Sequence, residues 1–172
     1  MISFPRLVFA FAALLISVAS GPGAAQQSTD MAGMKMSETK SAASYHPGLG
    51  ELMTAFVQPR HIKLGLAGNE QNWPYAAYEL GELTETFDDV AELVPKHDNL
   101  PIPEMIASTV EQPMAALDAA IKARDAAAFT KAYAELTSSC NACHKSAGHP
   151  MIVIKVPTVS DFPDQDFRPL QK

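Results

Sequence analysis

The sequence has few of the residues on which several classes of protein depend. Only two of its 172 residues are cysteine, and both lie in one stretch of four, whereas a disulfide framework spreads its cysteines along the chain. Basic residues number 13 against 19 acidic ones, so the formal charge is −6 and the basic surface needed to bind nucleic-acid phosphates is lacking. We therefore exclude a disulfide-rich scaffold and expect no nucleic-acid partner.

Apolar runs are too short to span a bilayer, which takes about 20 residues. The longest covers Leu7–Val18, is interrupted only by Ser17 and follows the basic residue Arg6. This pattern is typical of a secretory signal peptide over residues 1–25, cleaved ahead of Gln26; an uncleaved membrane anchor is the alternative. We expect a periplasmic protein that has no membrane span after cleavage.

Residues 26–46 have the composition of a flexible leader, rich in Ser, Ala, Gly and Met and without an apolar period. Met31, Met34 and Met36 carry thioether sulfurs of the kind that suits Cu(I). We interpret the segment as a leader, and we keep a copper-handling protein as an alternative hypothesis.

Residues 47–148 show the apolar periodicity of helices. The pattern predicts four of them, at about Gly48–Ala67, Asn72–Leu93, Glu104–Ala123 and Asp125–Gly148. Asn72 and Asp125 are suitable N-caps, and Pro59 should kink the first helix or remove one of its hydrogen bonds. Pro95–Pro103 has no helical period and is predicted to be a loop. The fold class is therefore all-α, an antiparallel four-helix bundle.

The second helix also carries a run of acidic residues, and such a run usually forms a solvated face. Its members are Glu79, Glu82, Glu85, Asp88, Asp89 and Glu92. Residues 149–172 differ from the helices: Met151–Val156 favours an extended backbone, and Pro157, Pro163 and Pro169 prevent a helix. We expect an extended C-terminal tail laid over the helices.

The cysteines belong to the sequence Cys140-Asn141-Ala142-Cys143-His144, which continues the apolar side of the fourth helix. Cys-x-x-Cys-His is the attachment signature of c-type haem. Residues i, i+3 and i+4 share a helix face, so both thiols can form thioethers to one porphyrin while His144 binds the iron as proximal ligand. We predict one covalent haem c, with iron as its metal.

Three other uses of the motif are less well supported. A zinc site usually needs a second pair of ligands. A thioredoxin-like pair belongs at a helix N-terminus, where the dipole lowers a thiol pKa, whereas this pair lies near a C-terminus. A disulfide within one helical turn has poor geometry.

The predicted helices, the leader peptide and Cys140-x-x-Cys143-His144 on the last helix resemble the four-helix cytochromes c, the cytochrome c prime group. In that group the first helix supplies the residue over the distal haem face, and the resemblance makes Met53 the candidate sixth ligand. His61 is the competitor, because an imidazole binds iron well. Arg60 falls among inward positions, where it either pairs with a haem propionate or extends to the surface.

The expected function is electron transfer between haem iron and a redox partner protein. The alternative is a gas-binding protein with an open or displaceable distal position. The sequence contains no catalytic constellation, so we expect no enzyme. Relatives of this kind often pair through their first two helices, which makes a homodimer possible. The 28 residues that follow His144 depart from the family pattern.

Overall fold

The computed structural model describes residues 45–171, and most of these residues are α-helical. Helix α1 (Leu49–Leu52), a π-helical turn (Met53–Val57) and helix α2 (Gln58–Asn69) follow one another with right-handed helical backbone at both junctions. They are followed by α3 (Trp73–Leu93), α4 (Ile102–Ala123) and α5 (Ala126–Ser146). The prediction of the all-α class is confirmed.

Two predicted segments fall outside this description. The signal peptide (1–25) lies wholly outside the described residues, as does the leader (26–46) except for its last two residues. Met31, Met34 and Met36 of the leader therefore also lie outside the described residues. None of the helices between residues 45 and 171 is long and apolar enough to cross a membrane.

The irregularity expected at Pro59 coincides with the π-helical turn, which ends two residues before it. Proline has no N–H, and in a regular helix its ring would crowd the carbonyl four residues earlier. Directly before Pro59 the helix widens, and the N–H of Gln58 donates to the carbonyl of Met53, five residues back. Single π turns of this kind are frequent at functional sites. This one begins at the candidate ligand Met53.

Both predicted helix starts carry the expected caps. The Asn72 side chain accepts a hydrogen bond from the Tyr75 N–H at 3.4 Å. Asp125 Oδ1 accepts from the N–H groups of Ala127 and Ala128, each at 3.0 Å. These bonds satisfy N–H groups that have no partner within the helix.

The segment between α3 and α4 is not simply a loop, as the sequence pattern predicted. It contains the strands β1 (Lys96–His97) and β2 (Leu100–Pro101), paired antiparallel with His97 opposite Leu100. Asp98 and Asn99 join them with φ values of 48° and 66°. Positive φ at both central residues is the requirement of a type I′ turn, and short polar residues tolerate it best.

The helices enclose one core. Helix α2 packs against α3, α3 against α4, α4 against α5, and α5 against α2. Helices α2 to α5 each contribute fully buried side chains, and the largest hydrophobic ones are Leu64, Leu83, Val90, Leu117, Phe129, Tyr133 and Leu136.

The contact between α2 and α5 depends on two glycines. A Cβ atom at Gly68 would overlap the ring of Phe129, and one at Gly65 would overlap Tyr133 and also touch Pro157. Gly65 and Gly68 are one turn apart, as are Phe129 and Tyr133, so two rings lie against two bare stretches of helix. The absence of side chains there sets the separation of the helices.

Gly68→Ala should therefore destabilise the protein, although alanine is the better helix former. Overpacking of a tight contact costs about 1–3 kcal/mol. Gly81→Ala is the matched control, because Gly81 is also helical but nothing lies within 4 Å of a Cβ there. It should stabilise by about 0.5–1 kcal/mol. Urea unfolding measures both changes, and equal effects would contradict the close packing of α2 on α5.

Candidate functional site

Cys140, Cys143 and His144 lie in the last turns of α5, where the helix is only half covered by the rest of the protein. Both cysteines are free thiols. Burial raises the pKa of Cys140 to about 11, with a further contribution from Cys143. Burial also raises the pKa of Cys143, against a hydrogen bond with Thr109. Both thiols are therefore protonated at neutral pH, unlike the reactive thiol of a thioredoxin-like pair.

The imidazole of His144 is held by the chain that follows the helix. Its Nδ1 lies 3.0 Å from the backbone carbonyl oxygen of Ile152. Because a carbonyl only accepts, Nδ1 carries the proton and donates it. The other nitrogen of the neutral ring, Nε2, then has a free lone pair, and it makes no hydrogen bond to any residue in the range 45–171. This is the tautomer in which a histidine binds a metal.

Asn141, the first residue between the two cysteines, contacts the same segment. Its Nδ2 donates to the carbonyl of Ile154 at 2.9 Å and to that of Thr137 at 3.0 Å. Its Oδ1 accepts from the N–H of Ile154 at 2.7 Å. The amide thus binds both backbone groups of one residue, in the manner of a neighbouring strand.

Met53 is half-buried against the core at the first residue of the π turn. The register between α2 and α5 indicates which end of α5 it is nearer. His61 contacts Thr137, and Gly68 lies against Phe129. Higher residue numbers on α2 therefore face lower residue numbers on α5. The helices are antiparallel, so Met53, eight residues before His61, lies toward the end of α5 that bears the motif.

His61 lies deeper in the core, with 4% of its surface exposed. Its Nε2 is 3.0 Å from Thr137 Oγ1, and its Nδ1 is 3.0 Å from Tyr133 Oη. Both ring nitrogens therefore already have partners, one turn before the cysteines. This position favours Met53 over His61 as the candidate distal residue.

The hydrogens around His61 do not suffice for every contact. Tyr133 Oη also donates to the His61 carbonyl at 2.6 Å, and Thr137 Oγ1 donates to the Tyr133 carbonyl at 2.9 Å. The two hydroxyl groups and a neutral ring together offer three protons for these four contacts. One contact is therefore left without a proton, at a cost of about 1 kcal/mol. A charged ring would supply every proton, but burial of an unpaired charge costs several kcal/mol. Burial prevails and lowers the pKa of His61 to about 4.

Arg60 turns toward α3 and not into the core. Its guanidinium lies 3.3 Å from the Glu79 carboxylate and 2.6 Å from that of Glu82, with 29% of the side chain exposed. The solvated acidic face predicted for α3 is wrong at Glu79, which is 1% exposed. Burial raises the pKa of Glu79, and the charge of Arg60 opposes that rise. Arg60 already has two carboxylate partners, which leaves the propionate role without support.

The sequence pattern identified the three motif residues but not the groups that hold them. Asn141 carried no signal beyond its place inside the motif, and Ile152 acts through its backbone. Among residues 45–171, no group of three His, Cys, Asp or Glu side chains is arranged to hold a metal ion. The chain matches no protein-family model, no curated protein and no solved structure.

The buried His61 should make stability depend on pH. Below its ordinary pKa of 6.5 the unfolded chain takes up a proton that the folded chain refuses until about pH 4. Stability is therefore lost as pH falls through this window. The advantage of the natural protein over His61→Gln should shrink by about 3 kcal/mol between pH 7 and pH 4. Urea unfolding at both pH values measures it; an unchanged difference would show that the histidine is not held neutral.

Arg60→Ala should destabilise the protein far more than loss of an exposed ion pair. It would leave the buried Glu79 without its partner, at a cost of about 3 kcal/mol. Lys122→Ala is the control, since Lys122 pairs with Asp118 at 2.6 Å on the surface. Its loss should cost at most about 0.5 kcal/mol. Thermal unfolding compares the two, and similar losses would mean that the Arg60 pair is as solvated as the surface one.

Proposed function

We propose that this chain is an exported c-type cytochrome of the four-helix, cytochrome c prime-like group, which carries one covalent haem and transfers electrons. The observation that supports it most is the state of His144. Its Nδ1–H is held by a backbone carbonyl, and its Nε2 is free, beside two free thiols on the same helix. A carbonyl or carboxylate on the second nitrogen is the usual support of a metal-binding histidine.

The residues present fit the attachment of a haem. Cys140 and Cys143 are spaced so that they share one side of a continuous helix, and both are partly buried free thiols. His144 follows directly with its acceptor nitrogen unused. The fit thus rests on the donor set, two thiols and one oriented imidazole.

The arrangement of the helices also supports the four-helix group. The contacts of α2 with α3, α3 with α4, α4 with α5 and α5 with α2 form a closed ring of four neighbours. Of the three successive segments α1, the π turn and α2, it is α2 that packs closely against α5. Met53 lies in the π turn, and the motif lies at the end of α5. These two segments pack less closely against each other than α2 and α5 do. In this proposal the residues in these two segments would hold the haem.

In this proposal the protein binds, orients and shields, while the haem supplies a one-electron couple between ferric and ferrous iron. Cys140 and Cys143 would hold the porphyrin through thioethers, and His144 and Met53 would be the residues that hold the iron. His61, Tyr133 and Thr137 form a neutral polar layer one turn below the cysteines. A methionine as sixth ligand favours the reduced state and raises the reduction potential.

The test is an absorption spectrum of the exported protein, oxidised and reduced, with carbon monoxide added to the reduced form. The host must be able to mature c-type cytochromes. We expect sharp low-spin bands that ignore carbon monoxide, because both axial positions are filled. Met53→Ala should become high-spin and bind carbon monoxide. Met105→Ala, which alters another half-buried methionine of the core, is the control and should stay low-spin, as should His61→Gln.

Other outcomes would change the conclusion. Broad bands in the unmodified protein that shift with carbon monoxide would mean an open distal site, and gas binding would then be the function. A high-spin His61→Gln would make His61 the ligand in place of Met53. No haem bands at all would overturn the proposal.

A further inference from the structure

The chain reverses direction immediately after α5. Gly148 has a φ of +81°, a backbone conformation that favours glycine. The N–H of His149 donates to the carbonyl of His144 at 2.8 Å, and the N–H of Ile152 donates to the carbonyl of His149 at 3.1 Å. Residues 149–154 are thereby folded back along the last turns of the helix. We call them the return segment.

The return segment is fixed to the helix by Asn141. The side-chain amide bonds both the N–H and the carbonyl of Ile154, at 2.7 and 2.9 Å. The same amide nitrogen also donates to the Thr137 carbonyl at 3.0 Å, and this bond holds the side chain against its own helix. Asn141 thus has little freedom, and neither has the peptide group that it binds.

Two residues before Ile154, the return segment meets His144. The carbonyl oxygen of Ile152 accepts from Nδ1 at 3.0 Å. This carbonyl therefore lies in a stretch of backbone held on both sides, by the bonds of Ile154 to Asn141 and by the bond from the Ile152 N–H to His149. The side chain of Ile152 itself is exposed, so its backbone makes the contact that matters.

We propose that Asn141 is a positioning residue for the proximal histidine. By binding Ile154 it holds the Ile152 carbonyl on His144 Nδ1, and so sets the orientation and donor strength of Nε2. The inference rests on the proposed function and extends it. It makes the segment after the motif part of the haem site. A hydrogen-bonded imidazole is a stronger donor, which stabilises ferric iron and lowers the reduction potential.

Asn141→Ala in the purified full-length protein tests this, with two readouts. The first is hydrogen exchange of residues 149–154 by mass spectrometry, which should lose protection because the amide bonds are gone. The second is the reduction potential, which should rise because the imidazole becomes a weaker donor. Tyr75→Phe is the control, since Tyr75 bonds Gln165 at 2.9 Å, farther along the C-terminal chain. It should leave the potential unchanged.

The sign of the change separates this role from simple covering of the haem. Greater exposure to water favours the more highly charged ferric state and lowers the potential. A lower potential in Asn141→Ala would therefore overturn the inference, and so would an unchanged potential together with lost protection. A shift of equal size in Tyr75→Phe would overturn it too, because general loosening of the C-terminal chain would then suffice.

A second pair of variants avoids any change within the motif. Ile154→Pro removes the N–H that Asn141 Oδ1 binds, and Ile154→Ala keeps that N–H while it removes the same packing. The proline variant should raise the potential and the alanine variant should not. Equal potentials in the two variants would contradict the inference.

Failure of the inference is distinguishable from failure of the proposed function. If the protein carries no haem, the absorption spectrum reveals it before any variant is made. Hydrogen exchange of the return segment in the natural chain and in Asn141→Ala still tests the contact with Asn141. Equal exchange in both would overturn the contact itself, whether or not haem is present.

Discussion

The contact of α2 with α5 at Gly65 and Gly68 is the constraint on which the rest of the site depends. Phe129 and Tyr133 lie where these glycines have no side chain, and this fixes both the distance and the register of the two helices. The register determines that His61 meets Thr137 and that Met53 lies toward the motif end of α5. Pro157 reaches the same place, since it would touch a Cβ at Gly65. One contact therefore aligns the first helix, the motif helix and the C-terminal chain.

Close approach of these helices brings polar groups into the core, where each side-chain nitrogen and oxygen lies within hydrogen-bond distance of a partner. His61, Tyr133 and Thr137 bond one another, and Glu79 is neutralised by Arg60. Within the described residues, no buried side-chain nitrogen or oxygen lacks a hydrogen-bond partner. Polar networks satisfied in this way specify one arrangement of the helices, because a shift by one turn would leave buried groups unpaired. The core thus reinforces the register that the glycines set.

The sequence could predict features that depend on residues close together in the chain, but not those that depend on distant residues. Helix periods, the caps at Asn72 and Asp125 and the spacing of Cys140, Cys143 and His144 are local features, and the structure has the helices and caps close to where they were expected. The burial of Glu79 depends on Arg60, 19 residues away, and no local pattern reveals it. The β-turn at Asp98 and Asn99 was missed because three nearby prolines concealed a short hairpin signal. The carbonyl that accepts from His144 belongs to the backbone of Ile152. A backbone carbonyl is present whichever residue stands at that position, so the residue type gives no signal.

The two ends of the C-terminal chain are held by different means, and the difference explains how hydrogen bonds alone suffice near the motif. At the far end, Phe167 is buried and stacks on Tyr75 with ring centroids 5.3 Å apart. Asn72, which caps α3, also donates to the carbonyls of Phe167 and Arg168. With that end anchored, the chain between is a closed loop, and the entropy lost when Ile152 and Ile154 are fixed is smaller than for a free terminus. Apolar burial at Phe167 and polar pairing at Asn141 thus act together, and a terminus without helix or strand can hold an imidazole in one orientation.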